Sequence, residues 1–162
     1  MRYDIVDSPI GPLLLAADDS GLRYLDFLKG PGSPRTRVGW TRDPKSVRDA
    51  ARQLAEYFAK KRRAFDLPLA PQGTAFRRAT WRALERIPYG ETIRYGQLAC
   101  RVGNPNAARA VGAAVGANPL AIVIPCHRVI GADGSLTGFG GGLPIKRALL
   151  ELEGWSGGVL LR

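Results

Sequence analysis

Along the first part of the chain, apolar and polar positions alternate between turn-forming runs and then change to helical spacing. Tyr3–Val6 and Leu13–Ala17 flank Ser8-Pro9-Ile10-Gly11-Pro12, and Leu22–Leu28 follows Asp18-Asp19-Ser20-Gly21. This pattern predicts three strands of an antiparallel meander. Gly30 to Pro34 predicts a loop. From about Pro44 to Lys61 the positions Val47, Ala50, Ala51, Leu54, Ala55 and Phe58 recur at helical spacing. Lys60-Lys61-Arg62-Arg63 then sets positive charge where the dipole of that helix favours it. Pro68 to Gly73 reads as a linker. It divides the chain into a small sheet-plus-helix scaffold domain over 1–72 and a second domain over 73–162.

The second domain reads as mostly helical. Thr74 is placed to cap a helix running to about Ile87, with Phe76, Trp81, Leu84 and Ile87 on its buried side and Pro88-Tyr89-Gly90 ending it. Tyr95–Val102 and Asn106–Gly116 predict two short helices joined by Gly103-Asn104-Pro105. That arrangement fits a helix-turn-helix, and a plain helical hairpin fits it too. Between Val102 and His127 the one charged side chain is Arg109, set among Ala107, Ala108, Ala110, Ala113 and Ala114. A helix that reads the major groove usually presents several long polar side chains. Small residues with a single cation suit shape-based or minor-groove contact instead. A buried Ala-rich helix with one surface arginine matches the same composition. Ala121-Ile122-Val123-Ile124, bounded by Asn118-Pro119 and Pro125, predicts a short buried strand that stops at the proline. The expected fold class is therefore α+β.

Charge adds a partner to this picture. The chain of 162 residues carries a formal net charge of +10, which points to a polyanionic partner or an anionic membrane surface. Five of the 24 basic residues are lysine, and all eight between Gly73 and Arg128 are arginine, against the acids Glu85 and Glu91. Arginine is the better phosphate clamp because its planar fork donates bidentately, although an arginine-favouring surface composition gives the same pattern. No apolar run reaches the roughly 18 residues of a membrane span. Met1-Arg2-Tyr3-Asp4 lacks the apolar core of a signal peptide, so a cytoplasmic protein is expected. Two cysteines and one histidine supply neither a disulfide framework nor a protein-only zinc site.

The single histidine follows a cysteine directly, as Cys126-His127 at the predicted strand end. A thiol attacks well only when deprotonated, and an adjacent imidazole or a cationic setting lowers its pKa. Chain neighbours in an extended segment face opposite ways, so this pair would communicate through a water or a bend. A carboxylate orienting the imidazole would complete a Cys-His-acid relay. Glu151 and Glu153 near the last helix end and Asp133 in a loop are the candidates. An inert buried cysteine remains the alternative.

Pro125-Cys126-His127-Arg128-Val129 resembles the signature of the O6-alkylguanine-DNA alkyltransferases. The resemblance extends through Ile87-Pro88-Tyr89-Gly90-Glu91-Thr92 with Tyr95, Asn104-Pro105 with Ala107-Ala108-Arg109-Ala110-Val111-Gly112, and Asn118-Pro119. It continues in Gly140-Gly141-Gly142-Leu143 and in Leu149-Leu150 through Glu153-Gly154. It implies a ribonuclease-H-like N-terminal domain and a DNA-binding, alkyl-acceptor C-terminal domain. Cys126 would take the alkyl group of O6-alkylguanine, with O4-alkylthymine a possible second substrate, in one irreversible displacement. His127 would be the water-mediated base, Glu153 its orienting carboxylate, and Asn118 a brace for the active-site strand and helix-turn-helix. Tyr95 and Arg109 would push out the nucleotide and fill the vacated stack, with Ala107 and Ala108 against the DNA. Val129, Phe139 and Gly140 would line the base pocket. The implied partner is double-stranded DNA carrying the lesion, bound by a monomer without cofactor or metal. Phe139 stands where the family commonly has tyrosine, and Gly140 where some members have serine, which leaves room for bulkier alkyl groups. Cys100 is expected to be a small structural hydrophobe. A damage sensor, a helix-turn-helix regulator and a Cys-His-Glu hydrolase are the competing classes.

Overall fold

The structure, a computed structural model, describes residues 1–28 and 39–155. The loop expected from Gly30 to Pro34 lies outside the described residues. The chain forms two compact units, Met1–Gln72 and Gly73–Arg162.

In the first unit, β1 (Arg2–Val6), β2 (Leu13–Asp18), β3 (Gly21–Phe27) and β4 (Thr41–Arg42) form a sheet in the order β3-β2-β1-β4. The β1–β2 and β2–β3 pairs are antiparallel, as expected of a meander, but β4 joins β1 in parallel. The sheet is thus mixed, and a return of the chain from β3 to the β1 edge is what a parallel partner requires. Leu13 to Ala17 are all buried, as a central strand covered on both faces must be. The register brings Tyr3, Ala16 and Tyr24 to one face. The Trp40 ring lies 6.3 Å from Tyr3 and 5.6 Å from Tyr24.

A single 3-10 turn, Pro44–Val47, leads into α1 (Arg48–Phe58). Its inner face is Ala50, Gln53, Leu54 and Tyr57, whereas Ala55 is exposed and Phe58 half-buried. Gln53 faces inward with two hydrogen bonds, donating to the Asp66 carbonyl (2.9 Å) and accepting from the Asp66 amide (2.8 Å). The stretch expected to be a linker is partly tied to the sheet. Leu69 bridges to Leu22, whose amide and carbonyl bond Pro68 and Ala70. Gly21, at φ 138°, has no room for a side chain, since a Cβ there would lie 2.5 Å from the Pro68 carbonyl oxygen.

The second unit is built around α2 (Ala75–Glu85), α3 (Tyr95–Val102), α4 (Ala108–Gly116) and α5 (Leu143–Leu152). Thr74 caps α2 by accepting from the Arg77 amide at 3.1 Å. Trp81, Leu84 and Ile87 are buried, each contributing about 2 kcal/mol of apolar transfer. Phe76 is 36% exposed rather than buried, because it sits in the first turn of α2, ahead of the residues that α4 covers. Trp81 donates its indole N–H to the Ala114 carbonyl at 2.8 Å and so locks α2 to α4. Gly103 ends α3 in the left-handed region (φ 100°), which turns the chain toward α4.

Two short strands join this helical layer to the last part of the chain. Ile93–Arg94 (β5), just before α3, pairs in parallel with Val129–Ile130 (β6). Among the described residues, no helix is long and apolar enough to cross a membrane.

Candidate active site

The segment leading to the cysteine is not the expected strand. Residues 121–124 form turns, and Cys126–Arg128 forms a single 3-10 turn that precedes β6. The cause is local. Ile122 adopts φ 72°, an uncommon and strained state for a β-branched residue, costing on the order of 1–3 kcal/mol. The Val123 amide closes a three-residue turn onto the Ala121 carbonyl (2.8 Å), and the Cys126 amide closes another onto Ile124 (2.7 Å) around Pro125. Asn118 holds both ends of this loop, accepting from the Leu120 amide (2.9 Å) and donating to the Ile124 carbonyl (2.8 Å). Its own amide bonds the Val115 carbonyl at the end of α4. Turns thus deliver Cys126, 7% exposed, to its place.

Behind the thiol is a buried charged cluster. His127 Nε2 lies 2.8 Å from Glu153 Oε2. Arg128 grips the same carboxylate with two nitrogens, Nε to Oε1 at 2.8 Å and Nη2 to Oε2 at 3.0 Å. Its third nitrogen donates to the Ile87 carbonyl at 2.6 Å, and the guanidinium lies 5.8 Å from the centre of the Tyr89 ring. Lys146, fully buried, donates to the carbonyls of Val129 (2.7 Å) and Thr137 (2.8 Å). Among the described residues, His127 Nδ1 is the one buried side-chain polar atom without a hydrogen-bond partner.

The electrostatics give each group a state. Burial pushes the Glu153 carboxyl up, but hydrogen bonds and charge from His127 and Arg128 outweigh it and leave it at about 2. Burial pulls His127 below its ordinary value, and Glu153 offsets this in part. The resting ring is therefore neutral, with its proton on the nitrogen facing the carboxylate and a free lone pair on Nδ1. Burial raises the Cys126 thiol above its ordinary value, against a hydrogen bond from Asn118 and the charge of Lys146. At rest it is a thiol, which corrects the expectation that its surroundings lower its pKa outright. Lys146 is lowered by burial to about 8.

The remaining expected residues fall in two places. Tyr95 opens α3, directly after β5, and Arg109 is exposed on α4. Ala107 and Ala108 are half-buried at the start of α4. The β5–β6 pairing connects Tyr95 to the reactive segment, because Arg94 pairs with Ile130. Val129 is fully buried, Phe139 half-buried and Gly140 exposed. Gly140 has open space around a would-be Cβ. Cys100 is exposed on α3, so it is not the expected packed hydrophobe; the inward positions there are Leu98 and Ala99. Glu151 is exposed and Asp133 bonds Ser135, which leaves Glu153 as the carboxylate at His127. Arg128 and Lys146 were not singled out for the site. Their signal was present: Lys146, Leu149, Leu150 and Glu153 share one helical face, a charged residue at each end of an apolar stripe.

Comparison with known proteins agrees with this geometry. Residues 75–155 match the family described as "6-O-methylguanine DNA methyltransferase, DNA binding domain", and residues 1–71 match its "ribonuclease-like domain". A methylated-DNA–protein-cysteine methyltransferase of Methanosarcina acetivorans is 53% identical over 154 residues, covering 95% of this chain and 99% of the relative. The protein of that name from Mycobacterium tuberculosis is 53% identical over 153 residues, covering 94% and 92%. The crystal structure of Mycobacterium tuberculosis OGT in complex with DNA superposes with a TM-score of 0.88 at 49% identity, covering all of both chains.

Proposed function

From the premise that the chain belongs to the 6-O-methylguanine DNA methyltransferase family, we propose that it repairs DNA by moving the alkyl group of O6-alkylguanine onto Cys126. The observation that carries this reading is the buried set Cys126, His127 and Glu153, in which an imidazole anchored at Nε2 leaves Nδ1 without a hydrogen-bond partner on the residue that follows the thiol.

The chemistry is one displacement. His127 Nδ1 takes the thiol proton through a water, and the Nε2–H donation to Glu153 strengthens as the ring becomes imidazolium. The thiolate attacks the alkyl carbon; a carbon–sulfur bond forms as the bond to O6 breaks, and guanine leaves as the anion. The proton removed from sulfur matches the one guanine recovers at N1, so the sum is thiol plus alkylguanine to thioether plus guanine. Lys146 and the imidazolium give the transient thiolate a cationic setting. The thioether formed on Cys126 is a stable product that consumes the thiol, so each protein acts once.

Access to O6 requires the nucleotide to leave the stack, at least cost for a weakened pair. Tyr95 and the exposed Arg109 serve this step, with Ala107 and Ala108 allowing close approach to the duplex. Asn118 holds the reactive turn, and its side chain favours the thiolate. Val129, Phe139 and Gly140 line the pocket, where ring stacking survives the absence of a tyrosine hydroxyl. The exposed arginines of α2 to α4 supply phosphate contacts, so affinity falls with added salt and depends little on sequence. The test is transfer of labelled methyl from duplex O6-methylguanine to wild type and to Cys126→Ser. Label on wild type alone is expected; label on both proteins would remove Cys126 as the acceptor.

A further inference from the structure

Each of the three guanidinium nitrogens of Arg128 donates to a group in the interior. The side chain takes both oxygens of Glu153, bonds the Ile87 carbonyl at the end of the α2 segment, and covers the Tyr89 ring. Glu153 Oε2 is shared with His127 Nε2. Of the other ionisable groups, Lys146 on α5 acts on the imidazole, and Cys126 precedes it in the chain.

A buried carboxylate facing only an imidazole draws a proton onto the ring, because each charge then has a partner. Here the carboxylate already has one. The guanidinium is permanently charged and seated bidentately, so a protonated resting ring would set Arg128, Lys146 and His127 against the one buried carboxylate among the described residues. We infer that Arg128 is a positioning residue for alkyl transfer: by occupying both oxygens of Glu153 it keeps His127 neutral, with the proton on Nε2 and Nδ1 ready to accept. The downward push on the histidine from burial and from Arg128 agrees with that arrangement. Without the guanidinium, the carboxylate would hold a resting imidazolium, and the base would be spent before the thiol is reached.

The kinetic part of this inference rests on the function proposed above; the state of the ring does not. His127 is the only histidine in the chain, so one pair of ring nitrogen resonances in 15N NMR reports it alone. In wild type at pH 7 we expect a neutral ring protonated on Nε2. In Arg128→Gln the ring should take up its second proton about one pH unit higher, and the acid limb of the alkylation rate should move with it. Arg128→Lys, which keeps the charge without the fork, should recover part of the shift. An imidazolium or an Nδ1–H ring in wild type at pH 7 overturns the inference. So does an unchanged ring titration in folded Arg128→Gln, or a rate lowered equally at every pH, which marks a purely structural arginine. If Arg128→Gln does not fold, the wild-type ring state decides alone. Loss of alkyl transfer by wild type with the expected ring state would overturn the proposed function instead.

Discussion

In the unit Met1–Gln72 the buried polar side chain among the described residues is Gln53, satisfied by backbone, and the ion pairs Arg2–Asp19, Arg52–Glu56 and Arg62–Glu56 stand at or near the surface. In the unit Gly73–Arg162 the interior holds His127, Arg128, Lys146 and Glu153. Taking ions out of water costs several kcal/mol each, and apolar replacements of similar volume are often at least as stable. The first unit follows the economical rule. The second departs from it at one place, and that place adjoins the reactive thiol. A buried charged cluster thus marks the chemistry better than the overall excess of arginine does, since that excess is mostly exposed.

Breaking the exceptional cluster should have the largest effects. Cys126→Ser should abolish transfer and leave lesion binding and melting temperature close to wild type, measured by labelled transfer, gel shift and calorimetry. Glu153→Gln leaves Arg128 without its anion; we expect a loss of about 3–5 kcal/mol in denaturant unfolding and a transfer rate lower by about a hundredfold. Arg109→Ala should slow transfer from duplex DNA about tenfold or more while sparing transfer from the free alkylated base, because only the duplex must be opened. Equal loss on both substrates would move Arg109 into the pocket or the fold. In the first unit, Arg52→Ala removes two exposed pairs, with Asp49 and Glu56, should cost about 1 kcal/mol or less, and should leave transfer unchanged.

Acidification sharpens the same contrast. Glu153, held at about 2, lies below its unfolded value, so its stabilisation is complete above about 4.5 and is lost as pH falls toward 2. His127, also lowered, works in the same direction from about 6.5 downward, because the unfolded ring binds a proton that the buried ring resists. Wild-type melting temperature should therefore fall steadily below about pH 6.5, and Glu153→Gln should flatten the lower part of that profile. A melting temperature indifferent to pH between 7 and 3 would contradict these assignments.

Much of the fold was legible because local pattern and global packing agree. The strands β1 to β3, the Thr74 cap and the short helices α3 and α4 follow from periodicity and turn residues. Residues 121–124 misled because an apolar β-branched run favours a strand by propensity, whereas the Asn118 side chain and Pro125 bend it into turns. The two-residue β4 carries no pattern of its own and pairs only through tertiary placement. In the site, Cys126 and His127 stood out by chemistry, but their carboxylate could be chosen only by resemblance until the fold brought Glu153 to 2.8 Å. Lys146 and Arg128 went unread because a charged residue beside apolar ones is ordinarily assigned to the surface.

The most direct test is the mass of the intact protein, with peptide mapping, after incubation with excess duplex carrying O6-methylguanine. We expect each molecule to gain one methyl group in place of a proton, on the peptide containing Cys126, and then to stop. An unchanged mass with lesion-selective binding would contradict the account and make the protein a damage sensor, and an unchanged mass with neither would place its substrate elsewhere.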